Sequence, residues 1–317
     1  MPVIKNNLVK ILTGSDLSKR IIPYMSVRSE NDGPLIWLIG CIHGDEIGGT
    51  VIIHEIFKRI GKKLLKGSLH AFPLVNPLGF ENATRNISIS GEDLNRAFPG
   101  NPKGTFAQRV ASQVFTIITN TNPDLVLDLH NDWNKSVPYV LIDPFSESSV
   151  PESVILDYAS LTGLIKIYDT DVIKNSLSYN LLRKGIPSLT LECGESQIIN
   201  EKNVMYGIEA IWNILAEKGM VEDTSERFSF PIPEPLRDKV LLYSQKPLSP
   251  ASGIIRFIKR PGEMVKPGNK IAKIYNPFGK LIENISVDEE GIILGHTDYA
   301  IAYPGAPIMA FGIKNNR

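Results

Sequence analysis

The sequence predicts an α/β fold in which a mixed, mostly parallel sheet is flanked by helices and is followed by a second, smaller all-β domain. Over the first two-thirds of the 317 residues, short apolar segments typical of buried strands alternate with segments of helical periodicity. Such alternation is typical of a sheet covered by helices on both faces. After about residue 222 the helical periodicity stops, and glycine-punctuated, β-rich segments follow.

Five segments are predicted to be strands because they are short, apolar and rich in β-branched or aromatic residues. They are PLIWLIGC, SLHAFPLVNP, DLVLDLH, PYVLID and SLTLEC. Between them, apolar residues recur at helical spacing in three stretches, at about residues 46–65, 104–119 and 198–218. The first part of the chain therefore alternates strands with helices.

The smaller β domain is predicted from a boundary and a repeat. The proline- and charge-rich segment EDTSERFSFPIPEPLRDK divides the chain into residues 1–222 and 223–317. Beyond it, SGIIRFIKRPGEMVKPGNKIAKI is echoed by EGIILGHTDYAIAYPGAPIMAFG, each copy having Gly-Ile-Ile, a Pro-Gly turn and an apolar strand. The repeat predicts two interlocking β-hairpins related by a pseudo-twofold axis.

This C-terminal pattern resembles the biotinyl/lipoyl-like barrel-sandwich fold. Proteins of that fold carry a modified lysine on a tight hairpin, commonly beside a methionine. In this chain the matching segment is IYNPFGKLIE, where Lys280 follows Pro-Phe-Gly instead. Because of this departure, we expect no covalent cofactor on the C-terminal domain.

The composition argues against nucleic-acid and membrane partners. The chain has 34 basic and 34 acidic residues, and no basic cluster that would neutralise phosphates. Its apolar runs are far below the roughly 18 residues of a transmembrane helix. The N-terminal segment MPVIKNNLVKILTGSD is too polar for a signal peptide. Two cysteines without CxxC spacing indicate a reducing, cytoplasmic setting.

A candidate metal site lies at the ends of two predicted strands. His43 and Glu46 form an H-x-x-E pair where the first strand gives way to a helix, and His130 ends the strand DLVLDLH. The carboxyl ends of parallel strands share one rim, where ligands bind. Two histidines and a glutamate there are a ligand set of catalytic zinc sites with an open fourth position. Asp128, on the same strand face as His130, is expected to orient that histidine.

A general base is expected near the same rim. The strand SLTLE ends in Glu192, and a carboxylate at this place suits proton transfer beside a metal. Glu195 is the alternative base. Glu192 is preferred because it directly ends the apolar run.

Other polar residues near these motifs are given structural roles. His54 and His70 lie inside a helical and a strand-like segment without carboxylate companions. Asp45 is expected to face solvent or to cap the following helix. Cys41 and Cys193 are interpreted as buried apolar residues, with a thiolate zinc ligand as the alternative.

Several substrate-binding candidates crowd into the segment NPLGFENATRNISISGEDLNRAFPG. It contains Asn76, Arg85, Asn95 and Arg96. Guanidinium groups near a metal polarise a carbonyl, hold an oxyanion or clamp a carboxylate. Two of them beside zinc predict a substrate that carries at least one carboxylate.

Together these segments resemble the succinylglutamate desuccinylase/aspartoacylase family, which belongs with the zinc carboxypeptidases. The resemblance covers roughly residues 30–220 and implies a carboxypeptidase-like fold there. A lipoyl-like C-terminal domain also fits many bacterial members. The resemblance to the family is carried by four motifs in order, H-G-D-E, D-L-N-R-x-F-P-G, D-L-H and a late strand ending in glutamate.

The resemblance implies a role for each motif residue. One Zn²⁺ ion per chain would be bound by His43, Glu46 and His130. Glu192 would act as the base and then as the proton donor to the leaving amine. Arg85 would stabilise the tetrahedral oxyanion.

The same resemblance implies that Asn95 and Arg96 hold the substrate. Two features depart from the family pattern. The segment between Arg85 and Asp93 looks longer than in aspartoacylase, which weakens the assignment of Arg85. The distal arginine that grips the substrate carboxylate has no match, because Arg183 in NLLRKGIP is out of register.

The preferred function is zinc-dependent hydrolysis of the amide bond of a small N-acylated amino acid or related amine. A zinc carboxypeptidase acting on short peptides would use the same metal chemistry. A non-catalytic binding or carrier protein is the third alternative, and the complete set of ligands and base disfavours it. No G-x-S-x-G motif supports a serine hydrolase. The sequence identifies neither the acyl group nor the amine, and it leaves a homo-oligomer open.

Overall fold

The computed structural model describes residues 2–14, 17–223, 226–297 and 301–314. It begins with an antiparallel hairpin of β1 (Lys5–Thr13) and β2 (Lys19–Arg28). The sequence does not predict this hairpin. Most residues of β1 are exposed, so it has no continuous apolar run of the kind that marks a buried strand.

Each of the five segments predicted to be strands contains a strand in the structure. After the hairpin, the strands of the first part of the chain are β3 (Leu35–Gly40), β4 (Ser68–Phe72), β5 (Leu125–His130), β6 (Lys135–Ser136), β7 (Tyr139–Ile142), β8 (Ile165–Tyr168) and β9 (Ser188–Glu192). The strand β8 was not predicted, because four residues are too few to give a clear period.

Helices occupy the three predicted stretches and three further ones. They are α1 (Gly48–Ile60), α2 (Pro77–Glu81), α3 (Phe106–Asn120), α4 (Glu152–Leu161), α5 (Leu177–Arg183) and α6 (Glu201–Glu217). The capping box of Thr105 and Gln108 fixes the start of α3, which is why this helix could be located closely from sequence.

The last part of the chain is made of strands. They are β10 (Val240–Ser244), β11 (Gly253–Phe257), β12 (Met264–Val265), β13 (Lys270–Tyr275), β14 (Leu281–Ser286), β15 (Gly291–His296), β16 (Ile301–Ala302) and β17 (Met309–Ile313).

One large sheet runs through both parts of the chain. Its order is β1-β2-β4-β3-β5-β9-β7-β8-β10-β17-β15-β12, and β6 pairs with β15. The neighbours in β4-β3-β5-β9 and in β7-β8-β10 are parallel, whereas β7 is antiparallel to β9. The carboxyl ends of β3, β5 and β9 therefore share one rim, which we call the catalytic rim.

Helices cover this sheet on both faces. Successive side chains of a strand point to opposite faces, so Ile36 and Leu38 of β3 pack into one apolar layer with α1, α4 and α6. Trp37 and Ile39 pack into the other layer with α3 and α5. The α/β class predicted from the sequence is confirmed.

The C-terminal strands form the predicted interlocking arrangement. The first repeat supplies β12, which pairs with β15 of the second, and the second supplies β16, which pairs with β11 of the first. A separate four-stranded antiparallel sheet, β14-β13-β11-β16, packs around its own apolar core. Lys280 lies exposed in the turn before β14. The domain division at 222/223 stays a prediction, and β10 extends the large sheet beside β8.

Candidate metal centre and active site

The loop after β3 aims two of the predicted metal ligands at the catalytic rim. Cys41 has φ 53°, a conformation that L-residues rarely adopt, and it turns the chain sharply out of the strand. At Gly44 a Cβ atom would lie 2.0 Å from the carbonyl carbon of Gly79, so only glycine fits between His43 and Glu46. Close approach of two backbones thus holds the loop in place.

Asp45, the remaining acidic residue of this loop, does not cap the helix that follows. The N-cap of α1 is Ile47, and no described side chain caps it. The Asp45 carboxylate is half-buried, and its Oδ1 has no hydrogen-bond partner among the described residues. The expectation of a solvent-facing or helix-capping Asp45 is therefore wrong. Its backbone carbonyl instead accepts a hydrogen bond from Gln197.

The two predicted histidines and the glutamate converge in the structure. Nδ1 of His43 lies 2.7 Å from Glu46 Oε1, and Nδ1 of His130 lies 2.7 Å from Glu46 Oε2. The ligand atoms of the three residues lie within 4.8 Å of one another, and all three side chains are buried. This is the spacing that a single metal ion requires of its ligands.

An aspartate lies beside each imidazole ring. Nε2 of His43 lies within hydrogen-bond distance of Asp93 Oδ1, at 3.0 Å. Nε2 of His130 lies 3.1 Å from Asp128 Oδ2, which is an ion-pair distance without hydrogen-bond geometry. When Nε2–H of His43 donates to Asp93, the Nδ1 lone pair of that ring points toward Glu46. Metal-binding histidines commonly donate their other N–H to a carboxylate in this way. The donor set therefore fits a zinc ion.

The charge balance of this cluster favours an ionised Glu46. Burial opposes its ionisation, but His43 and His130 outweigh burial and hold the pKa of Glu46 well below its usual value. The pKa of Asp93 is also lowered despite burial, because His43 and Arg85 stabilise its charge. Both carboxylates therefore stay negative at neutral pH. A negative charge suits Glu46 as a predicted metal ligand and Asp93 as the partner of His43.

Arg85 lies directly beside the metal ligands. Its Nη1 donates to Glu46 Oε1 at 3.0 Å, and its Nε and Nη2 lie 3.3 Å from Asp93 Oδ2. A guanidinium has five N–H donors, so these bonds leave donors for a substrate. The long segment between Arg85 and Asp93 does not move Arg85 away from the site.

Asn95 and Arg96 lie on a 3-10 turn above the same cavity. Asn95 Nδ2 is 3.4 Å from His130 Nε2, and its Oδ1 accepts a hydrogen bond from the backbone N–H of Leu177. Arg96 is exposed and donates to the backbone carbonyl of Asn95. Asp93 caps this turn through the Asn95 N–H, so one aspartate holds both the turn and His43.

Glu192 lies next to His130 across the pairing of β5 and β9. It faces the cavity, and its Oε2 has no hydrogen-bond partner among the described residues. Burial and then the charge of Asp132 raise the pKa of Glu192 well above its usual value. Glu195, the alternative base, is held by Asn200 and Asn203 and is absent from the described lining of the cavity.

These residues line one cavity of about 310 Å³ on the α5 face of the sheet. The predicted metal ligands line this cavity together with Arg85, Asn95, Arg96 and Glu192. Its lining also includes Asn131, Asp132, Tyr139, Asp143, Asp169, Asp171, Thr190, Tyr243 and Gln245. Tyr243 and Gln245 come from β10 and the residue after its end, beyond the predicted boundary at 222/223.

Several lining residues are absent from the sequence-based candidates. Asp132 accepts a hydrogen bond from the buried Tyr139 hydroxyl at 2.6 Å. It directly follows the D-L-H-N motif, and Asp143 ends PYVLID much as Glu192 ends its strand, so both could have been found. Tyr243 could not, because nothing in VLLYS indicates that β10 joins the catalytic sheet.

The residues given structural roles lie outside the ligand group. His70 contacts the Tyr24 hydroxyl at 2.8 Å, and burial lowers its pKa. His54 is exposed on α1. Cys41 and Cys193 are fully buried, and burial raises the pKa of the Cys41 thiol to about 12. Neither thiol belongs to the group of converging ligand atoms among the described residues, so the interpretation as buried apolar residues is preferred.

Comparisons with known proteins agree with this geometry. The family model for the succinylglutamate desuccinylase/aspartoacylase catalytic domain matches residues 32–217, more than half of the chain. N-alpha-acetyl-L-2,4-diaminobutyric acid deacetylase of Halomonas elongata is 24% identical over 266 residues, which cover 80% of this chain and 73% of that protein.

Solved structures show the same fold at low sequence identity. A succinylglutamate desuccinylase from Silicibacter sp. TM1040 superposes with a TM-score of 0.82 at 18% identity, covering 98% of this chain and 94% of the other. The product-bound ectoine utilization protein EutE (DoeB) from Ruegeria pomeroyi has a TM-score of 0.81 at 17% identity, covering 98% and 95%.

The mixed sheet with a buried His-Glu-His group at its rim agrees with the fold of this deacylase family. This chain belongs to the succinylglutamate desuccinylase/aspartoacylase family. Among the described residues, no helix is both long and apolar enough to cross a membrane.

Proposed function

We propose that this protein is a zinc-dependent amidohydrolase that removes an acyl group from a small N-acylated amino acid or related amine. The observation that carries the proposal is the convergence of two imidazole Nδ1 atoms on both oxygens of Glu46, inside a cavity that also contains an unpaired Glu192. The family match and the deacetylase relative support the acyl-amino-acid class of substrate.

His43, Glu46 and His130 would hold one zinc ion per chain. Zinc bound by two histidines and a glutamate acidifies water and polarises a carbonyl oxygen. Asp93 would support His43 by accepting the hydrogen of its Nε2, and the charge of Asp128, 3.1 Å from His130 Nε2, would favour a proton on that nitrogen. The chain thus provides both the ligands and their orientation before a metal binds.

Glu192 is proposed as the general base and acid. Its burial favours the protonated form, so this carboxylate readily takes a proton from the attacking water and then gives it to the leaving amine. The absence of a described hydrogen-bond partner for Oε2 leaves that atom available for proton transfer. Amide hydrolysis needs this second step because an amine leaves poorly without a proton.

Arg85 is proposed to stabilise the oxyanion that forms on the scissile carbonyl. Its position is fixed by Glu46 and Asp93, so little reorganisation is needed when negative charge develops. Asn95 and Arg96 are proposed to hold the substrate, because they cover the same cavity from above. An exposed guanidinium at the cavity mouth suits a substrate carboxylate.

The remaining expectations concern the setting of the enzyme. We propose that its partner is a small molecule and that it works in the cytoplasm. Neither nucleic acid nor membrane is expected from the balanced charge of the sequence. Whether copies of the chain associate is a separate question that size-exclusion chromatography with light scattering answers.

The test is hydrolysis by zinc-loaded protein of acetyl, succinyl and formyl amino acids, with short peptides for comparison. Release of free amine from at least one acylated amino acid, abolished by a chelator and restored by zinc, is the expected result. Cleavage of peptides alone would instead make the protein a carboxypeptidase.

A further inference from the structure

A second cavity, of about 510 Å³, adjoins the catalytic cavity. Asp132 and Gln245 line both cavities, so these two residues lie at the junction between them. Asp132 is two residues beyond the predicted metal ligand His130, which places the junction close to the proposed reacting centre. A molecule held at the metal centre can therefore extend directly into the second cavity.

The second cavity is lined mainly by apolar side chains, and we call it the apolar pocket. Ile255, Ala302 and Ile308 belong to the buried core of the C-terminal strands and also line this pocket. Ile301, which is 70% exposed, and Tyr303, which is 61% exposed, line it as well. The pocket thus reaches from the core of the small sheet to the protein surface.

The charge of the apolar pocket distinguishes it from the catalytic cavity. Apart from Asp132 at the junction, no described residue of its lining is charged. The Oδ2 atom of Asp132 already accepts a hydrogen bond from the Tyr139 hydroxyl at 2.6 Å. A carboxylate that entered the pocket would lose hydration and meet no cation, which is costly, whereas a hydrocarbon group gains free energy from burial.

The loop after His130 is shaped to present an indole ring to the apolar pocket. Trp133 lines the pocket and has φ 57°, a conformation that L-residues rarely adopt and that occurs often at functional sites. Its ring packs against Gly295 of β15, where a Cβ atom would lie 2.8 Å from Trp133 Cδ1. Pairing of Gly295 with Ser136 of β6 fixes this approach. The strand β15 therefore helps to build the wall of the pocket.

We propose that the apolar pocket binds the hydrocarbon chain of the substrate's acyl group, so that the substrate is an amino acid acylated with an uncharged chain longer than acetyl. This inference rests on the proposed function. The acyl group is assigned to this side because Arg96, the proposed partner of the amino-acid carboxylate, lines the catalytic cavity and is absent from the described lining of the apolar pocket.

The first test varies the acyl group on one amino acid, alanine. Each methylene that becomes fully buried favours binding by about fourfold. We expect kcat/KM of the zinc-loaded protein to favour N-hexanoylalanine over N-acetylalanine by at least about tenfold. The matched pair of 4-methylpentanoyl and succinyl groups differs only in a terminal isopropyl group against a carboxylate of the same shape. The 4-methylpentanoyl compound should be preferred by at least about tenfold.

Three variants locate the chain in the apolar pocket. Ile301→Asp places a carboxylate at an exposed position of the lining, and Ala306→Phe fills part of the pocket. Each should reduce the ratio of hexanoyl to acetyl turnover at least about fivefold while acetyl turnover is retained. Ile282→Asp, at a position that is also exposed and lies on β14 of the same sheet outside the lining, is the control and should leave the ratio unchanged.

A binding measurement keeps this inference separate from the hydrolytic activity. Calorimetry of the zinc-loaded protein uses hexanoate and acetate, the carboxylates that hydrolysis would release. Hexanoate should bind at least about tenfold more tightly than acetate, and Ile301→Asp should remove most of this difference. If hexanoate binds in this way but no amide is cleaved, the proposed function is wrong and the apolar pocket stands.

Three results would overturn the role of the apolar pocket. One is equal binding of hexanoate and acetate by the unaltered protein, whether or not the alanine compounds are cleaved. Another is preference for the succinyl over the 4-methylpentanoyl compound. The third is an unchanged preference for hexanoyl in Ile301→Asp, because the chain would then bind elsewhere. Ile301→Asp changes an exposed residue and decides the matter if Ala306→Phe fails to fold.

Discussion

The two ends of the cavity treat negative charge in opposite ways. At the metal end, Glu46 contacts His43, His130 and Arg85, and its pKa is held well below the usual value. At the other end, lined by Asp143, Asp169 and Asp171 and called the acidic end, Asp143 accepts one hydrogen bond from the Ser178 hydroxyl, and burial raises its pKa to about 6. The surroundings therefore favour the charged form of a carboxylate at one end and the protonated form at the other.

This difference separates catalysis from the pH dependence of stability. The metal end is organised by side chains from the loop after β3, the end of β5 and the Asp93 turn, which contact one another around Glu46 and His43. At the acidic end, burial favours the protonated form of Asp143. The comparison predicts that changes at the metal end abolish turnover, whereas changes at the acidic end alter how stability depends on pH.

Loss of a metal ligand should have the largest effect. His130→Ala removes one of three ligands, so zinc content should fall from one per chain to near zero. The turnover number should fall by at least about 10⁴-fold, because the metal provides both water activation and carbonyl polarisation. Elemental analysis and an acetate-release assay on one preparation check this. His54→Ala, an exposed histidine of α1, is the matched control and should retain both. Full zinc content in His130→Ala would remove His130 from the site.

Removal of the proposed base should be the next largest effect. Glu192→Gln keeps the shape of the side chain but cannot carry the proton, so kcat should fall by about 10²- to 10⁴-fold while zinc is retained. Glu195→Gln is the control, because Glu195 is bonded to Asn200 and Asn203 instead of facing the cavity. If only Glu195→Gln lost activity, the base would have been assigned to the wrong carboxylate.

The two arginines should affect different kinetic constants. Arg85→Ala removes a donor that acts mainly in the transition state, so it should lower kcat by about 10²-fold. Arg96→Ala removes an exposed group that binds the ground state as well, so it should raise KM by about tenfold with little change in kcat. Steady-state kinetics on an acidic and a neutral acyl amino acid separate the two cases. Equal rates on both would mean that the arginines do not select a carboxylate.

The smallest effect concerns stability at the acidic end. Burial raises the folded-state pKa of Asp143 to about 6, above the ordinary aspartate value of 3.8. Between about pH 4 and 6 the folded state therefore binds more protons than the unfolded state, and this group makes the protein less stable as pH rises. Asp143→Asn cannot ionise at this position and so does not lose this stability. The free energy of unfolding of Asp143→Asn, relative to that of the unaltered protein, should therefore be about 2–3 kcal/mol higher at pH 7.5 than at pH 4.

Urea unfolding of metal-free protein at the two pH values measures this difference without interference from zinc binding. If the difference in free energy of unfolding between Asp143→Asn and the unaltered protein were the same at both pH values, the pKa of Asp143 would not be raised by folding, and this prediction would be wrong.

Local patterns explain why most of the metal end could be predicted. The apolar runs of β3, β5 and β9 locate three strand ends, and parallel pairing brings His43, His130 and Glu192 to one rim. Asp128 followed from strand alternation alone. The role of Asp45 was misassigned because helix capping was inferred from residue type, whereas α1 begins at Gly48 after an uncapped turn.

The acidic end could not be predicted because it depends on long-range topology. Asp143 and Asp169 reach the cavity only because β7 reverses direction beside β9, and a single strand gives no sign of its partner's direction. Tyr243 likewise arrives through β10, which pairs with β8 across more than seventy residues of sequence. Neither β1 nor β2 was predicted. β1 is an exposed edge strand without an apolar run, and the apolar residues of β2, which lies between β1 and β4, are interrupted by Pro23.

The central claim is one catalytic zinc per chain, and a metal titration tests it most directly. Protein stripped by a chelator should be inactive on its acyl amino acid. Zinc added in steps should restore turnover linearly and reach a plateau at one equivalent, with no recovery in His130→Ala. Full activity of the stripped protein, or a plateau only at two equivalents, would contradict the claim.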